Sequence, residues 1–136
     1  MEYRVCRNNP APYNDLNGKI SLLGLGTMRL PLRDAADQTS IDEEKAQEIF
    51  DYAYAHGVNY FDTAYPYHGG MSEKFCGKAL AKYPRASYHL ASKLPGWLLK
   101  CDEDVPRIFN EQLANCRTDY FDFYLAHSVH ESSWSN

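Results

Sequence analysis

Strand-like and helix-like segments alternate along this chain, and that alternation limits its fold more than any other feature. Segments read as strands at Ser21–Leu25, Asn59–Phe61, Tyr88–Lys93 and Phe121–Ala126, the second because β-branched and aromatic residues cluster there just after Gly57. Helical segments separate them. Ser40 with Glu43 three residues on has the pattern of a capping box, in which each side chain serves the other's free backbone N–H. Ala46, Ile49, Phe50 and Ala53 then fall on one apolar stripe, and Gly57 suits the left-handed residue that follows a last helical turn. A second helix begins near Ser72 and directs Phe75, Cys76, Ala79 and Leu80 inward. A third carries Pro106 in its first turn, with Asp102, Glu103 and Asp104 near its positive end. Its inward face is Val105, Ile108, Phe109, Leu113 and Cys116, which reads as core. Strand and helix three times over, then a strand, predict an α/β fold with a parallel sheet and right-handed crossovers.

Residues 1–20 contain Pro10, Pro12 and the turn signal Asn17-Gly18, and read as a hairpin-like lead-in. Residues 21–136 then carry barrel strands 1–4. Gly24 and Gly26 leave room for a ligand or a neighbouring backbone, or mark a tight bend. No internal repeat, low-complexity tract or linker divides the chain, so a single domain is expected over 1–136.

Composition excludes several classes of function. Hydrophobic residues make up 44%, enough for a core. A net charge of -4 argues against a nucleic-acid surface, which needs a basic stripe. No apolar run approaches the roughly 20 residues of a membrane span, and Met1-Glu2-Tyr3-Arg4 does not open a signal peptide. Cys6, Cys76, Cys101 and Cys116 show no CxxC spacing, so reduced thiols and a cytoplasmic location are expected.

The chemistry gathers where strands end. Asp62 closes the second strand, and Tyr67 follows five positions later in a loop rich in Pro and Gly. Lys93 ends the third strand and His127 the fourth. Each has a bland reading alone: a turn-capping Asp, a packed Tyr, a solvated Lys, a hydrogen-bonded His. All four fall at equivalent places, however, and a barrel brings the carboxyl ends of its strands around one mouth.

Five motifs then appear together. Gly24-Leu25-Gly26-Thr27-Met28, Phe61-Asp62-Thr63-Ala64 with Tyr67, Gly69-Gly70-Met71-Ser72-Glu73, Ala91-Ser92-Lys93 and Tyr120-Phe121-Asp122-Phe123-Tyr124-Leu125-Ala126-His127 resemble the aldo-keto reductase superfamily in order and spacing. Met28-Arg29-Leu30-Pro31 resembles a bacterial-type branch. The resemblance implies a partial (β/α)8 TIM barrel: about four parallel strands and three helices after an N-terminal hairpin that closes the floor. A complete barrel takes about 250 residues. This chain has 136, so it is expected to correspond to the amino-terminal half of such a domain.

The resemblance also implies NAD(P)H-dependent reduction of an aldehyde or ketone. Tyr67 would be the general acid, Lys93 and Asp62 would tune it, and His127 would orient the carbonyl. The charges make this sensible. A free phenol titrates near 10, and a nearby ammonium favours phenolate and eases proton transfer. Gly26, Thr27, Met28 and Asp62 would lie near the nicotinamide, with NADPH the family's usual cofactor and NADH also possible. Tyr65, Met28 and Trp97 read as substrate walls or as packing.

Other chemistries fit less well. His127 and His130 are three apart, but no His-x-His marks the first strand, so no metal is expected. Lys93 alone would suit a Schiff base, but the set of four favours reduction. Gly69-Gly70 lacks the GxxxxGK[ST] form of a phosphate cradle. A second reading stays open: an inactive truncated fragment, or a non-catalytic binding or assembly module of the same fold. Four strands of a barrel leave two edges through which such a chain could self-associate.

Overall fold

The computed structural model describes residues 1–5 and 19–131. The turn signal Asn17-Gly18, together with Cys6, Pro10 and Pro12, lies outside the described residues. Strands β1 (Tyr3–Val5) and β2 (Lys19–Ser21) pair antiparallel, Tyr3 opposite Ser21. The main sheet holds β3 (Leu25–Gly26), β4 (Tyr60–Asp62), β5 (His89–Leu94) and β6 (Phe123–Ala126). All neighbours in it are parallel and stand in chain order, as the alternation predicted. Helices α1 (Glu43–Ala55), α2 (Met71–Leu80) and α3 (Asp104–Asn115) connect them.

The first barrel strand differs from expectation. Ser21 belongs to β2, and pairing with β4 begins only at Leu25. Local polar contacts explain the break. The Asn59 side chain accepts from the Ser21 N–H at 2.8 Å, and the Ser21 hydroxyl donates to the Leu23 carbonyl at 2.7 Å. The chain bends there, with Gly24 so close to Tyr60 that a Cβ would lie 2.9 Å from its ring. The β2 carbonyl of Lys19 is bonded by both Asn59, just before β4, and His89, at the start of β5. Strand β2 therefore sits at the amino-terminal ends of β4 and β5.

The start of α1 also differs. Its N-cap is Asp42, which accepts from the Lys45 N–H, while the Ser40 hydroxyl is held inside the preceding loop by Asp34 and Asp37. Ile41 forms an isolated bridge with Leu32, so the backbone stays extended past Ser40 and the helix starts later. At the other end Gly57 takes φ 86°, the left-handed value expected of it.

Successive strand residues face opposite sides of the sheet. Phe61 and Leu90 turn to the helices, where Phe50 stacks on Phe61 at 5.3 Å and meets Phe75 edge-on at 5.5 Å. Tyr60, His89 and Phe123 make ring contacts on the other face. All four inward residues assigned to α2 are buried. Ile49, at the margin of its stripe, and Val105, in the first turn of α3, are exposed, while Gln112 of α3 is buried instead. Among the described residues Cys76, Cys101 and Cys116 are free thiols.

Below the sheet, the nearly inaccessible carboxylate of Asp122 meets the Arg85 guanidinium at 2.7 Å and the Leu90 N–H at 2.8 Å. Burial alone would raise its pKa. The bonds from His89, Leu90 and Arg85 outweigh that and hold it below the usual carboxylate value. Arg85 also covers the Tyr120 ring at 3.8 Å.

Helices α2 and α3 approach through Gly77, where a Cβ would stand 2.6 Å from the Cys116 carbonyl carbon and 2.7 Å from the Asn115 oxygen. Those are backbone atoms and cannot rotate aside. Gly77→Ala should therefore destabilise the chain by about 1–3 kcal/mol through overpacking. Gly26→Ala, whose Cβ meets nothing within 4 Å, should stay within about 0.5 kcal/mol. Urea unfolding midpoints of the two variants check this, and equal midpoints would contradict it.

Candidate active site

Three of the four strand-end residues emerge from adjacent strands. Asp62 is the last residue of β4, Lys93 the penultimate residue of β5, and His127 follows β6 directly. Parallel pairing in chain order brings them to one rim. Lys93 Nζ donates to Asp62 Oδ1 at 2.6 Å and to the Thr63 carbonyl at 2.7 Å. The ammonium is largely shielded and the carboxylate partly open.

Tyr67 comes in from the loop after β4. Its ring centroid lies 4.8 Å from Lys93 Nζ, and it meets the His127 ring edge-on at 5.7 Å. Trp97 also packs against His127, with ring centroids 5.0 Å apart. All four expected residues thus come together at one rim, and the expected Asp62–Lys93 ion pair is formed.

His127 is electrostatically distinctive. Partial burial lowers its pKa below 6.5, the Lys93 charge lowers it further, and Asp62 opposes both. Its Nδ1 is buried without a hydrogen-bond partner among the described residues. No protein acceptor at that nitrogen fixes the tautomer.

The expected nicotinamide residues divide. Gly26 sits beside Asp62 in register, with open space where a side chain would be, and Met28 is 57% exposed. Thr27 is fully buried. Its N–H and hydroxyl both donate to the Asp62 carbonyl, at 2.9 and 3.0 Å. Ser72 Oγ contacts the hydroxyls of Thr27 at 2.7 Å and Thr63 at 3.0 Å. Thr27 therefore holds Asp62 through its backbone and presents no side chain to the cleft. Among the described residues no cluster of three or more His, Cys, Asp or Glu could hold a metal ion.

Two supporting residues escaped the sequence reading. His68 follows Tyr67 in a left-handed conformation, φ 54°. Its Nε2 accepts from the Leu30 N–H at 3.1 Å, so its Nδ1 is the donor to the Gln38 carbonyl at 2.9 Å. Nothing in its neighbours signals that role. Gln112 is different: it lies four residues beyond the inward-facing Ile108, and helical periodicity alone places it inside.

The His127 electrostatics have a measurable consequence. A histidine whose folded pKa is lowered binds fewer protons folded than unfolded, so stability is lost as pH falls below about 6.5. Lys93→Gln removes the cation that helps lower it and leaves Asp62 unopposed. The His127 imidazole titration, followed by NMR, should move to higher pH, and an unchanged midpoint would refute the coupling.

Known proteins are similar to this chain in sequence and fold. The aldo/keto reductase family model matches residues 22–133. L-galactose dehydrogenase of Arabidopsis thaliana is 32% identical over 117 residues, covering 82% of this chain and 35% of that protein. The Tas protein of Escherichia coli is 30% identical over 135 residues, covering 85% of this chain and 36% of its own. A crystal structure of a Klebsiella pneumoniae aldo-keto reductase in complex with NADPH superimposes with a TM-score of 0.69 at 25% identity, covering 96% of this chain and 41% of that one. The chain spans about a third of the length of the curated relatives it matches. With its four parallel strands and intervening helices forming part of that family's α/β barrel, this chain belongs to the aldo/keto reductase family.

Proposed function

We propose that the protein carrying this chain reduces an aldehyde or ketone with NAD(P)H, and that Tyr67 delivers the proton. The contact of Lys93 with both Asp62 and the Tyr67 ring carries this reading. Reduction places negative charge on the carbonyl oxygen, and an acid must meet it as it develops. The Tyr67 hydroxyl supplies that proton and is left as phenolate. The Lys93 ammonium stands 4.8 Å from the Tyr67 ring centroid, close to where charge develops, and Asp62 with the Thr63 carbonyl keeps it in place.

His127, held neutral by burial and by Lys93, has an N–H to donate to the carbonyl oxygen without competing as the acid. The Trp97 and Tyr67 rings both pack against it. The bound nicotinamide would supply the hydride to the carbonyl carbon. Gly26 and Met28 fit its approach beside Asp62, since one leaves open space and the other is exposed. The relative solved with NADPH supports that cofactor class.

The acid acts as charge develops rather than in ground-state binding, so its removal should lower kcat with little change in cofactor affinity. In the protein carrying these residues, Tyr67→Phe should reduce kcat by roughly 10²–10⁴, the usual range for a general acid. Steady-state NADPH oxidation with an aldehyde substrate measures this. Full kcat in that variant would leave the site without its acid.

A further inference from the structure

Behind β5, on the side away from the Lys93 ammonium, lies a buried polar cluster that the chemistry above does not use. Glu73, Ser92 and Gln112 are all fully inaccessible. The Glu73 carboxylate accepts from Ser92 Oγ at 2.7 Å, Gln112 Nε2 at 2.6 Å and Asn115 Nδ2 at 3.2 Å. Gln112 Nε2 also lies 2.9 Å from Ser92 Oγ and 3.1 Å from the Lys93 carbonyl oxygen. Its Oε1 accepts from the Tyr124 hydroxyl at 2.6 Å.

Chemistry fixes the orientation of this amide. A carboxylate only accepts, so the NH₂ must face Glu73, and the carbonyl is then left for the phenol. Gln112 thereby ties α2, β5 and β6 together from a single position on α3. Ser92 and Lys93 leave the strand on opposite faces. Holding the Ser92 hydroxyl and the Lys93 carbonyl from the helix side fixes where the Lys93 side chain emerges on the other. An apolar filling would pack as well but would not fix that direction.

We propose that Gln112 is a positioning residue that sets the Lys93 ammonium against Asp62 and Tyr67 by gripping β5 from behind. The proposal rests on the reading of Lys93 as the partner of Tyr67. A misplacement of about 1 Å at such a group can cost 10²-fold in rate.

The test compares Gln112→Met, which keeps the length but removes donor and acceptor, with Tyr67→Phe and the unaltered protein. Two measurements are read. In steady-state assays Gln112→Met should lose roughly 10–10²-fold in kcat, with KM changed less than about threefold. In NMR titrations of the same protein, the His127 midpoint should rise as the ammonium draws away. A residue that only packs would lower the melting temperature and leave both readings unchanged in the folded variant. That result overturns the proposal.

If Gln112→Met does not fold, Tyr124→Phe removes just the hydroxyl that anchors the Gln112 carbonyl. It should lower kcat by roughly two- to tenfold, and no change in kcat or in the His127 midpoint overturns the proposal. Full kcat in Tyr67→Phe overturns the assignment of the acid instead, and the His127 midpoint in Gln112→Met then still decides whether Gln112 places Lys93.

Discussion

The ammonium of Lys93 reaches across from β5 to the end of β4, and the organisation of the whole rim depends on that reach. It finds the Asp62 carboxylate and the Thr63 carbonyl together, one charged acceptor and one neutral. Burying a charged group is costly unless it is paired and hydrogen-bonded. Asp62 in turn is held by Thr27 through its own carbonyl, and Thr27 by Ser72. The ion pair is thus the visible end of a hydroxyl-lined support running through β3, β4 and the start of α2. Loss of any one member would be felt at the ammonium.

Much of this was legible in the sequence. Alternating periods gave the parallel order of β3 to β6, and strand ends gave Asp62, Lys93 and His127. Tyr67 could be placed in their company because a loop that follows Asp62 so closely has little freedom to leave the rim. What was missed has a common cause. The break between Ser21 and Leu25 arises from Asn59, far along the chain, and the delayed start of α1 arises from the bridge between Leu32 and Ile41. Both are tertiary contacts overriding a local signal. Ile49 fell on a correct apolar stripe but at its margin, where packing alone decides exposure.

The two ends of the sheet divide their tasks. At the floor, Arg85 gives its charge to Asp122 and its plane to Tyr120, and the lead-in strand β2 is bonded to Asn59 and His89. Those contacts satisfy groups that would be costly to leave unpaired. At the rim, by contrast, His127 Nδ1 is buried without a hydrogen-bond partner among the described residues, and Asp62 remains partly open. Among the described residues, the floor is thus the more fully bonded of the two ends.

His68 extends the same logic to movement. One imidazole bonds Leu30 and Gln38 in the loop after β3, while its own backbone continues from Tyr67. Both ring nitrogens are committed, one giving and one receiving, so neither loop can shift without breaking a bond that the other also needs. The segment bearing Met28 and the turn bearing Tyr67 are mechanically one piece. A molecule that displaced the first would drag the phenol with it, and the two would arrive at the rim, or leave it, together.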